Sequence, residues 1–387
     1  MAIVKLAEVC EKIGSGATPR GGKEAYCDEG ISLVRSQNVL DFNFSKEGLA
    51  FINDEQAKKL SNVEVHSGDV LLNITGDSVA RACLMDDDYL PARVNQHVAI
   101  IRGNSHKIMN GYVLYYLQWR KEYLLQLASA GATRNALTKA MIEQLELDLP
   151  PLDSQQQIVA ILDSLQSKIQ LNQKTNDNLL AQAQTLYKQF FPYGVQDDLP
   201  DGWRIGTVGE IIEIHDSKRI PLSGADRSKM EKKIYPYYGA ASLMDLVDNY
   251  IFDGKYLLLG EDGTVVDDAG YPILQYVWGQ FWVNNHAHIL TGRLGYDVES
   301  LYMLFKQTPV KSIVTGAVQP KISQANLRSV QVVIPPEHNL REYNDLVEPL
   351  FSLFRANEEE CKTFTALRDT LLPKLMSGEI DVSAVQL

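Results

Sequence analysis

Residue types that could perform catalysis occur in this sequence, but their spacing does not fit a catalytic site. Gly16-Ala-Thr-Pro-Arg-Gly-Gly-Lys23 has the composition of a phosphate-binding loop, yet its spacing differs from G-x-x-x-x-G-K. Glu24 stands where a serine or threonine would meet Mg²⁺. The sequence also contains no G-x-S-x-G, H-E-x-x-H or G-x-G-x-x-G motif. We therefore predict no catalytic residue and no enzyme activity in the chain itself.

Two further clusters have residue types that bind metal ions. His286 and His288 are two residues apart, so both rings project from the same face of a predicted strand. A related stretch earlier in the chain keeps only the first of them, as His97, which favours a packed or hydrogen-bonded histidine over a ligand. The acidic run from Glu261 to Asp268 is more typical of a solvated loop. We therefore predict no metal site.

Glycine-flanked loops carry polar side chains of the kind that read nucleic-acid bases. Arginine, lysine, asparagine and glutamine present donors that fit the edges of guanine and adenine. The alternative for any one loop is that its side chains are simply solvated. The candidate DNA-binding residues are Thr18, Arg20, Lys23, Arg35, Gln37, Asn38, Arg134, Asn135, Lys218, Arg219, Lys232, Lys233, Tyr238, Gln319 and Lys321.

These loops belong to a chain that contains an internal duplication. Gly131-Ala-Thr-Arg-Asn-Ala-Leu-Thr138 is echoed 185 residues later by Gly316-Ala-Val-Gln-Pro-Lys-Ile-Ser323. Val94-Asn-Gln-His-Val-Ala-Ile-Ile101 is matched 189 residues later by Val283-Asn-Asn-His-Ala-His-Ile-Leu290. A period of this length predicts two copies of one domain rather than a solenoid of short repeats.

Each copy consists mostly of short predicted strands bounded by glycine, asparagine and aspartate. The predicted fold class is therefore mixed α/β (α+β), with two β-rich mixed domains and a pair of long helices. We place the first globular domain at 1–152 and a central helical spacer at 153–193. The second globular domain is placed at 194–336 and a C-terminal helical spacer at 337–387.

A heptad pattern follows each globular copy. From Ile158 to Phe190 the seam positions are spaced alternately by four and three residues, and adding 185 gives a second seam in register. Ser154 and Gln157 predict a capping box at the start of the first helix. Each helix has a single apolar stripe, so we expect the two to form an antiparallel coiled coil about a pseudo-two-fold axis. The seam residues are Ile158, Leu162, Leu165, Ile169, Asn172, Leu179, Leu186, Val347, Leu350, Phe354, Asn357, Phe364 and Leu371.

One seam position is an asparagine in both helices. Asn172 and Asn357 are equivalent under the 185-residue shift and lie near the middle of their seams. In an antiparallel pair their amides could hydrogen-bond to each other and set the register, at some cost in stability. The alternative is that both amides reach water at the edge of the seam.

Composition limits the class of protein. Of the 387 residues, 45% are hydrophobic and 22% are charged, as is typical of a folded globular protein. Four dispersed cysteines and the lack of an apolar leader or span favour a cytoplasmic protein without membrane contact. The net charge of −12 counts against DNA when it is read alone. However, residues 1–150 carry only −3 and residues 200–334 only −2, so most of the negative charge lies on the predicted helices.

The order of these segments resembles a known family. The first helix follows the sequence LPPL, the second follows IPP, and the second helical segment contains Leu367-Arg-Asp-Thr-Leu-Leu-Pro-Lys-Leu-Met-Ser-Gly-Glu-Ile380. This layout resembles the specificity (S) subunit of type I restriction–modification systems over essentially the whole chain. Gly68-Asp-Val-Leu71 and Val283-Asn-Asn-His286 are similar to stretches of the target-recognition domains of that family.

The resemblance implies a function for each segment. Each globular domain would be a target-recognition domain that reads one half of a bipartite target in double-stranded DNA. The helices would set the gap between the half-sites and dock two methyltransferase (modification) subunits. Restriction and translocase subunits would join the same assembly. S-adenosylmethionine, ATP and Mg²⁺ are expected in those partner subunits, and no cofactor is expected in this chain.

Two other classes of protein are compatible with the residues alone. The chain could be a non-DNA scaffold or adaptor with two duplicated binding domains on a helical spacer. It could also be an enzyme whose site is assembled from scattered residues. Methylation of a bipartite DNA motif by a complex that contains the chain would separate the first interpretation from both.

Overall fold

The computed structural model describes residues 2–19, 21–129, 135–316 and 318–383. The chain divides into two compact units. The first unit comprises Met1–Asn172 together with Glu360–Leu387, and the second comprises Gln173–Glu359. The division falls inside the two long helices, so each of these helices contributes residues to both units.

The first unit contains ten short strands among its described residues, with helices between them. The strands are β1 (Ala2–Lys5), β2 (Cys10–Ser15), β3 (Ile31–Val34), β4 (Ala50–Ile52), β5 (Glu64–Val65), β6 (Val70–Asn73), β7 (Ala82–Leu84), β8 (Ala92–Val94), β9 (Val98–Gly103) and β10 (Glu146–Leu149). The helices are α1 (Leu6–Val9), α2 (Asp54–Lys59), α3 (Asn110–Trp119), α4 (Lys121–Ser129), α5 (Lys139–Glu143) and the long helix α6 (Leu152–Phe190).

The second unit has the same sequence of strands. They are β11 (Arg204–Thr207), β12 (Ile212–Ile214), β13 (Tyr235–Tyr238), β14 (Leu243–Val247), β15 (Phe252–Asp253), β16 (Tyr256–Gly260), β17 (Leu274–Val277), β18 (Gln280–Val283), β19 (Ala287–Gly292) and β20 (Gln331–Ile334). The helices are α7 (Val208–Ile211), α8 (Gly224–Ser228), α9 (Val298–Phe305), α10 (Gln324–Arg328) and the long helix α11 (Glu337–Met376).

Sheet topology is identical in the two units. In the first unit β1 pairs with β10, one sheet has the order β2-β9-β6-β7 and another has the order β4-β3-β8-β5. Adding ten to each strand number gives the three sheets of the second unit. The single parallel pairing also recurs, as β3 with β8 and β13 with β18. The predicted duplication of a β-rich mixed domain is therefore confirmed at the level of strand order.

Each unit packs part of the long helices into its own core. In the first unit Ile158 and Leu162 of α6 and Leu372 of α11 join the apolar cluster beneath β6 and β9. In the second unit Ala183 of α6 and Tyr343 of α11 join the cluster beneath β16 and β19. Because these helix residues bury apolar surface in the cores, the helix ends are held against the globular part of each unit.

Within each unit the two helix segments run antiparallel. In the first unit Arg368 Nη1 donates to Gln166 Oε1 at 2.6 Å, while Cys361 Sγ lies 3.6 Å from the carbonyl oxygen of Ile169. In the second unit the Tyr343 hydroxyl donates to the carbonyl oxygen of Ala183 at 3.2 Å. Every predicted seam residue is buried or half-buried. None of the described helices is both long enough and apolar enough to cross a membrane.

The central asparagines do not pair as the equivalence of their positions suggests. Asn357 Nδ2 donates to Oδ1 of Asn176, one helical turn away from Asn172, at 2.9 Å. Asn172 Nδ2 donates to Glu360 Oε2 at 2.6 Å. Both amides are buried, so neither interpretation of Asn172 and Asn357 is correct: each amide has a side-chain partner inside its own unit.

The start of α6 also differs from the prediction. The helix begins at Leu152, so Ser154 lies within the first turn and does not cap it. The neighbouring Gln155 is fully buried instead. Its Oε1 accepts from the backbone N–H of Met109 at 2.9 Å, and its Nε2 donates to the carbonyl oxygens of Lys107 at 3.0 Å and Pro150 at 2.9 Å. Gln155 therefore ties the helix to the loop before α3.

Candidate nucleic-acid interface

A polar pocket of about 450 Å³ opens in the first unit where β6 ends and β9 begins. Three separate segments form it: the turn after β3, the loop between β6 and β7, and the residue before β9. Its lining residues are Ser36, Gln37, Thr75, Gly76, Asp77, Ser78, Arg81 and His97. We call this the Arg81 pocket.

A buried asparagine holds the walls of this pocket together. Asn73 at the end of β6 is fully buried, and its Nδ2 donates to the carbonyl oxygens of Ser36 at 2.8 Å and Val39 at 3.2 Å. The backbone N–H of Ile74 donates to the carbonyl oxygen of His97 at 3.0 Å. Because side-chain and backbone groups both bridge the segments, the pocket is preformed in this structure.

The floor of the Arg81 pocket is a hydroxyl–imidazole pair. Thr75 Oγ1 lies 2.6 Å from His97 Nδ1, and Gln96 Nε2 lies 3.1 Å from His97 Nε2. The chain then turns back toward β7 through Gly76 and Ala80, both of which have positive φ, at 75° and 67°. Few non-glycine residues adopt this conformation, so the loop is held in a specific shape that leads directly into Arg81.

Arg81 supplies the free donors of the pocket. It is half-buried, and within the described part of the chain its guanidinium has no hydrogen-bond or ion-pair partner. Gln37 is exposed and its Nε2 donates to the carbonyl oxygens of Glu47 and Gly48, which leaves Oε1 as an acceptor. A guanidinium with free N–H groups can donate to guanine O6 and N7 or to a phosphate.

One more predicted loop reaches the same pocket. Asn135 is exposed, and its carbonyl oxygen accepts from the backbone N–H of Gly76 at 3.2 Å. Thr75 and Ala136 also form an isolated β-bridge. Arg134, the neighbouring candidate, lies outside the described residues. The backbone of Asn135 therefore lies against the loop between β6 and β7, which lines the pocket together with Gln37.

Two candidates near the pocket are engaged inside the protein. Asn38 is fully buried, and its Nδ2 donates to the carbonyl oxygens of Ser45 at 2.9 Å and Glu47 at 3.1 Å. The donors of Asn38 are therefore used, and its assignment to DNA contact is wrong for this conformation. Arg35 donates from Nη2 to the carbonyl oxygen of Gly48, and its guanidinium lies 5.6 Å from the Tyr26 ring centroid. These contacts shape the loop at 45–48.

The second unit has a polar pair at the equivalent place. His286 matches His97 under the 189-residue shift, and Asp262 follows β16 as Thr75 follows β6. His286 Nδ1 forms a short hydrogen bond with Asp262 Oδ1. Both units thus place an imidazole and a polar partner between the same two strands, with a hydroxyl in the first unit and a carboxylate in the second.

A buried network lies beside this pair. His288 is fully buried, with Nδ1 2.6 Å from Asp216 Oδ2 and Nε2 2.8 Å from the carbonyl oxygen of Ile322. A carbonyl oxygen only accepts, so Nε2 carries a proton. Burial alone would raise the pKa of Asp216, but hydrogen bonds from His288 and the backbone hold that pKa below its ordinary value. Gln324 Nε2 adds a further donor to Asp216 at 2.6 Å.

Two cations complete the network at Glu261. Arg219 Nη1 lies 2.6 Å from Glu261 Oε2, and Lys321 Nζ lies 3.2 Å from Oε1. Burial opposes ionisation of Glu261, but the hydrogen bond from Arg219 and the neighbouring positive charges lower its pKa. Arg219 also donates to the carbonyl oxygen of Ala287 at 2.8 Å. Its donors are used internally, so the structure removes Arg219 from the DNA-contact candidates.

The same three groups have the spacing of a metal site. Ligand atoms of Asp216, Glu261 and His288 lie within 4.8 Å of one another. However, Arg219 and Lys321 already satisfy Glu261, and His288 Nδ1 is paired with Asp216, so a metal ion would have to displace both cations and replace that pairing. We assign the cluster to the internal structure of the second unit.

The remaining candidates are dispersed over the two units. Lys321 is bound to Glu261, Lys233 Nζ lies 3.4 Å from Asp245 Oδ1, and half-buried Tyr238 packs against Phe281 at 5.9 Å between ring centroids. Burial raises the pKa of Tyr238. The backbone of Lys23 lies in the turn Gly22–Ala25, and Arg20 is outside the described residues. Thr18, Lys218, Lys232 and Gln319 are exposed, as are Lys321, Gln37 and Asn135.

Sequence reasoning missed the residues that form most of the Arg81 pocket. Thr75, Arg81 and His97 stand in or next to stretches interpreted as strands, and only folding brings them beside Gln37 and Asn135. A signal was present for His97, because the histidine of VNQH recurs as His286 in VNNH. No pattern in the sequence marks Arg81.

Comparison with known proteins agrees with this duplicated architecture. Residues 1–181 and 200–360 each match the family model described as "Type I restriction modification DNA specificity domain". The type I restriction enzyme MjaIX specificity subunit of Methanocaldococcus jannaschii is 22% identical, over 98% of this chain and 93% of that protein. The putative MjaX specificity subunit of the same organism is 19% identical, over 98% and 93%.

A solved structure has the same fold. The crystal structure of a type I restriction–modification S subunit from M. genitalium matches with a TM-score of 0.56 and 16% identity, and covers 97% of this chain and 96% of that chain. The family model accounts for both copies of the repeat and for most of the chain. The chain therefore belongs to the type I restriction–modification DNA specificity family.

Proposed function

We propose that this chain is the DNA-recognition subunit of a type I restriction–modification complex, in which each unit contacts one half of a bipartite target. The observation that carries the proposal is the repeated polar site, Thr75 with His97 and Asp262 with His286, at the same place in two copies of one topology. Two copies of one surface suit a target that is divided into two separate parts.

Differences between the two sites explain how the halves could differ in sequence. Arg81 offers donors to the acceptors of guanine, whereas Asp262 offers an acceptor to the amino groups of cytosine or adenine. Exposed lysines such as Lys218 and Lys232 suit phosphate contacts, which position the protein without reading sequence. The structure thus supports distinct half-sites rather than a palindrome.

The long helices are proposed to measure the gap between the half-sites. Gln155 and the apolar helix residues hold α6 against the first globular part, and Tyr343 holds α11 in the second. One additional base pair moves a half-site by about 3.4 Å and rotates it by roughly 35°. A rigid connection would therefore accept only one gap length.

Chemistry on the DNA is proposed to reside in partner subunits. Two methyltransferase subunits would supply S-adenosylmethionine and methylate the target, and restriction and translocase subunits would supply ATP-driven translocation and Mg²⁺-dependent cleavage. This chain would contribute target choice and geometry. Membership of a specificity family supports this division of labour.

The charge of the chain bears on how DNA is held. Net charge is −12 overall, but residues 1–150 and 200–334 are nearly neutral. Non-specific affinity for DNA depends on the number of phosphates that a protein neutralises. We therefore expect weak DNA binding by the isolated chain, with a shallow salt dependence, and tight binding only in the assembled complex.

The test is to produce the chain together with its methyltransferase subunits in cells that lack other methylation. Methylation-sensitive sequencing of the chromosome should reveal one motif of two short half-sites separated by a fixed gap. A complex without this chain is the control and should leave no such motif. A methylated motif without a gap, or none with the full complex, would exclude the proposal. The family match does not favour the alternative of a non-DNA scaffold.

A further inference from the structure

A second pocket of the first unit, of about 380 Å³, lies between the start of α3 and the long helix α6. Its walls include Leu84, Ile108 and Val159, which are apolar, and Asn110 and Asp163, which are polar. We call this the Asp163 pocket. An apolar lining beside a carboxylate has the chemistry to hold a long side chain with a positive tip.

The equivalent place in the second unit follows from the strand registers. Ile101 of β9 corresponds to Leu290 of β19 under the shift of 189 residues. Ile101 pairs with Val70 of β6 and Leu290 pairs with Leu257 of β16, so Val70 corresponds to Leu257. The shift of 185 between the helices equates Asp163 with Glu348. On this basis the positions of Gly68, Leu84, Asn110 and Asp163 correspond to Lys255, Tyr276, Glu299 and Glu348.

In the second unit the chain's own cations occupy this place. Lys255 Nζ lies 2.7 Å from Oε1 of Glu299, which is 1% exposed, and 3.1 Å from Oε2 of Glu348. Arg355 Nη2 lies 2.7 Å from Glu348 Oε1, and the Tyr276 hydroxyl donates to Glu299 at 2.6 Å. Two cations therefore neutralise two carboxylates, and the ring of Tyr276 fills the space beside them.

In the first unit, glycine (Gly68) stands in the position of the lysine and leucine (Leu84) in that of the tyrosine. Asp163 keeps a carboxylate in the position of Glu348. Asp163 is half-buried, and its one hydrogen-bond partner among the described residues is the Tyr115 hydroxyl, at 2.6 Å. Burial raises the pKa of Asp163, although the hydrogen bond from Tyr115 opposes that rise. A half-buried carboxylate of this kind gains stability when a cation approaches it.

We propose that the Asp163 pocket receives a lysine or arginine side chain from the methyltransferase subunit, a partner whose presence rests on the proposed function. The occupant takes the place that Lys255 takes in the second unit, with its head near Asp163 and its stem between Leu84 and Val159. The volume and the apolar lining of the pocket suit a side chain with methylene groups better than a bare ion. The two units therefore differ toward their partners: the Asp163 pocket of the first unit is open, whereas side chains of the second unit itself fill the equivalent place.

The test measures the dissociation constant between the purified full-length chain and the purified methyltransferase subunit by isothermal titration calorimetry. Asp163→Asn keeps the size of the side chain and an acceptor for Tyr115, and should weaken binding by at least about tenfold. Ser105→Trp, at an exposed rim position, should obstruct the pocket and weaken binding to a similar degree. Asp153→Asn, an exposed position on the same helix outside the pocket, is the matched control and should bind as the wild type does.

A matching substitution in the methyltransferase subunit provides a second test. One lysine or arginine of the methyltransferase subunit, replaced by alanine, should give the same loss and no further loss when combined with Asp163→Asn. Unchanged affinity for both pocket variants, with normal binding by the wild type, would overturn the inference and leave the proposed function intact. A wild-type chain that does not bind the methyltransferase subunit would instead refute the partner named in the proposed function.

Discussion

Asn357 donates a hydrogen bond of 2.9 Å to Asn176 across the paired helices of the second unit. Asn176 in turn donates to Glu358 at 2.8 Å and lies 3.3 Å from the carbonyl oxygen of Phe354. Both asparagines are buried in a seam whose other members are mostly apolar. Because an unpaired buried amide is costly, this contact favours one register of the two helices over its neighbours.

Replacement of one asparagine should therefore cost more than replacement of both. Asn357→Leu leaves the Asn176 amide short of a partner, and we expect it to lower the free energy of unfolding by about 1–3 kcal/mol. The double variant Asn176→Leu with Asn357→Leu should recover part of that loss and should loosen the gap selected in the methylated motif. Urea unfolding checks the stability and motif sequencing checks the gap. If the loss in the double variant equalled the sum of the losses in the two single variants, the hydrogen bond would not set the register of the helices.

Arg81 should determine one base in one half-site. Arg81→Ala removes the unpartnered guanidinium of the Arg81 pocket, and we expect the methylated motif to become degenerate at one position, with a loss of about 1–3 kcal/mol in discrimination. The second half-site and the gap should not change. Lys58→Ala, an exposed lysine outside the pocket, serves as the control and should leave the motif intact. A uniform loss of methylation without degeneracy would assign Arg81 to a phosphate.

Gln155 should be important for the attachment of α6 to the first unit. Gln155→Leu introduces the residue that the second unit has at the equivalent position, Leu340, but removes three hydrogen bonds to the backbone. We expect a loss of about 2–4 kcal/mol in the free energy of unfolding. The exposed neighbour Gln156 provides the comparison, since Gln156→Leu should change stability little. Similar urea midpoints for the two variants would show that the backbone groups find other partners.

Acid should destabilise the second unit through its buried carboxylates. The pKa values of Asp216 and Glu261 are lowered in the folded protein, so the unfolded chain binds more protons as the pH falls. Their contribution is complete above about pH 4.5 and is lost as the pH falls through the lowered values. Asp216→Asn should make the loss of stability below pH 4.5 less steep in urea unfolding, whereas Asp201→Asn, at an exposed site, should not. If the free energy of unfolding fell equally steeply below pH 4.5 in the wild type and in Asp216→Asn, the role given to Asp216 would be contradicted.

The helices should behave as a matched pair. Seven residues inserted into α6 and seven into the facing part of α11 extend both by about 10 Å, or roughly three base pairs. The methylated motif should then keep both half-sites and gain a longer gap. Insertion into α6 alone should abolish the motif, because the heptad seams lose register. A change in the half-site sequences after the paired insertion would argue against the role in measuring the gap.

Periodicity explains why the architecture could be predicted from the sequence. The spacing of four and three from Ile158 onward depends only on local geometry, and the long helices confirm it. Helix boundaries were less accurate: Ser154 and Gln157 predict a capping box at the start of the first long helix, but α6 begins at Leu152. The duplication was visible because the matched stretches at 94–101 and 283–290 fall on strands and on the turns beside them, which both copies need.

Side-chain roles could not be predicted in the same way. Arg219 looks like a surface arginine in a loop, yet its acceptors include Glu261 and the carbonyl oxygen of Ala287, far along the chain. Asn38 is likewise buried by the loop at 45–48. In both cases the burial results from tertiary contacts between distant segments, and no local pattern records such contacts. The Arg81 pocket was missed for the same reason.

The division of the chain into units has a consequence for its synthesis on the ribosome. The second unit is continuous from residue 173 to residue 359, so it can fold as soon as that stretch has emerged. The core of the first unit includes Leu372, Leu375 and Met376, which are made after the whole of the second unit. Residues 1–172 must therefore wait, with Ile158 and Leu162 uncovered, until the part of α11 that completes their core has been translated. A premature stop before residue 360 would leave the amino-terminal unit exposed to aggregation and proteolysis, while the later-made unit could still complete itself.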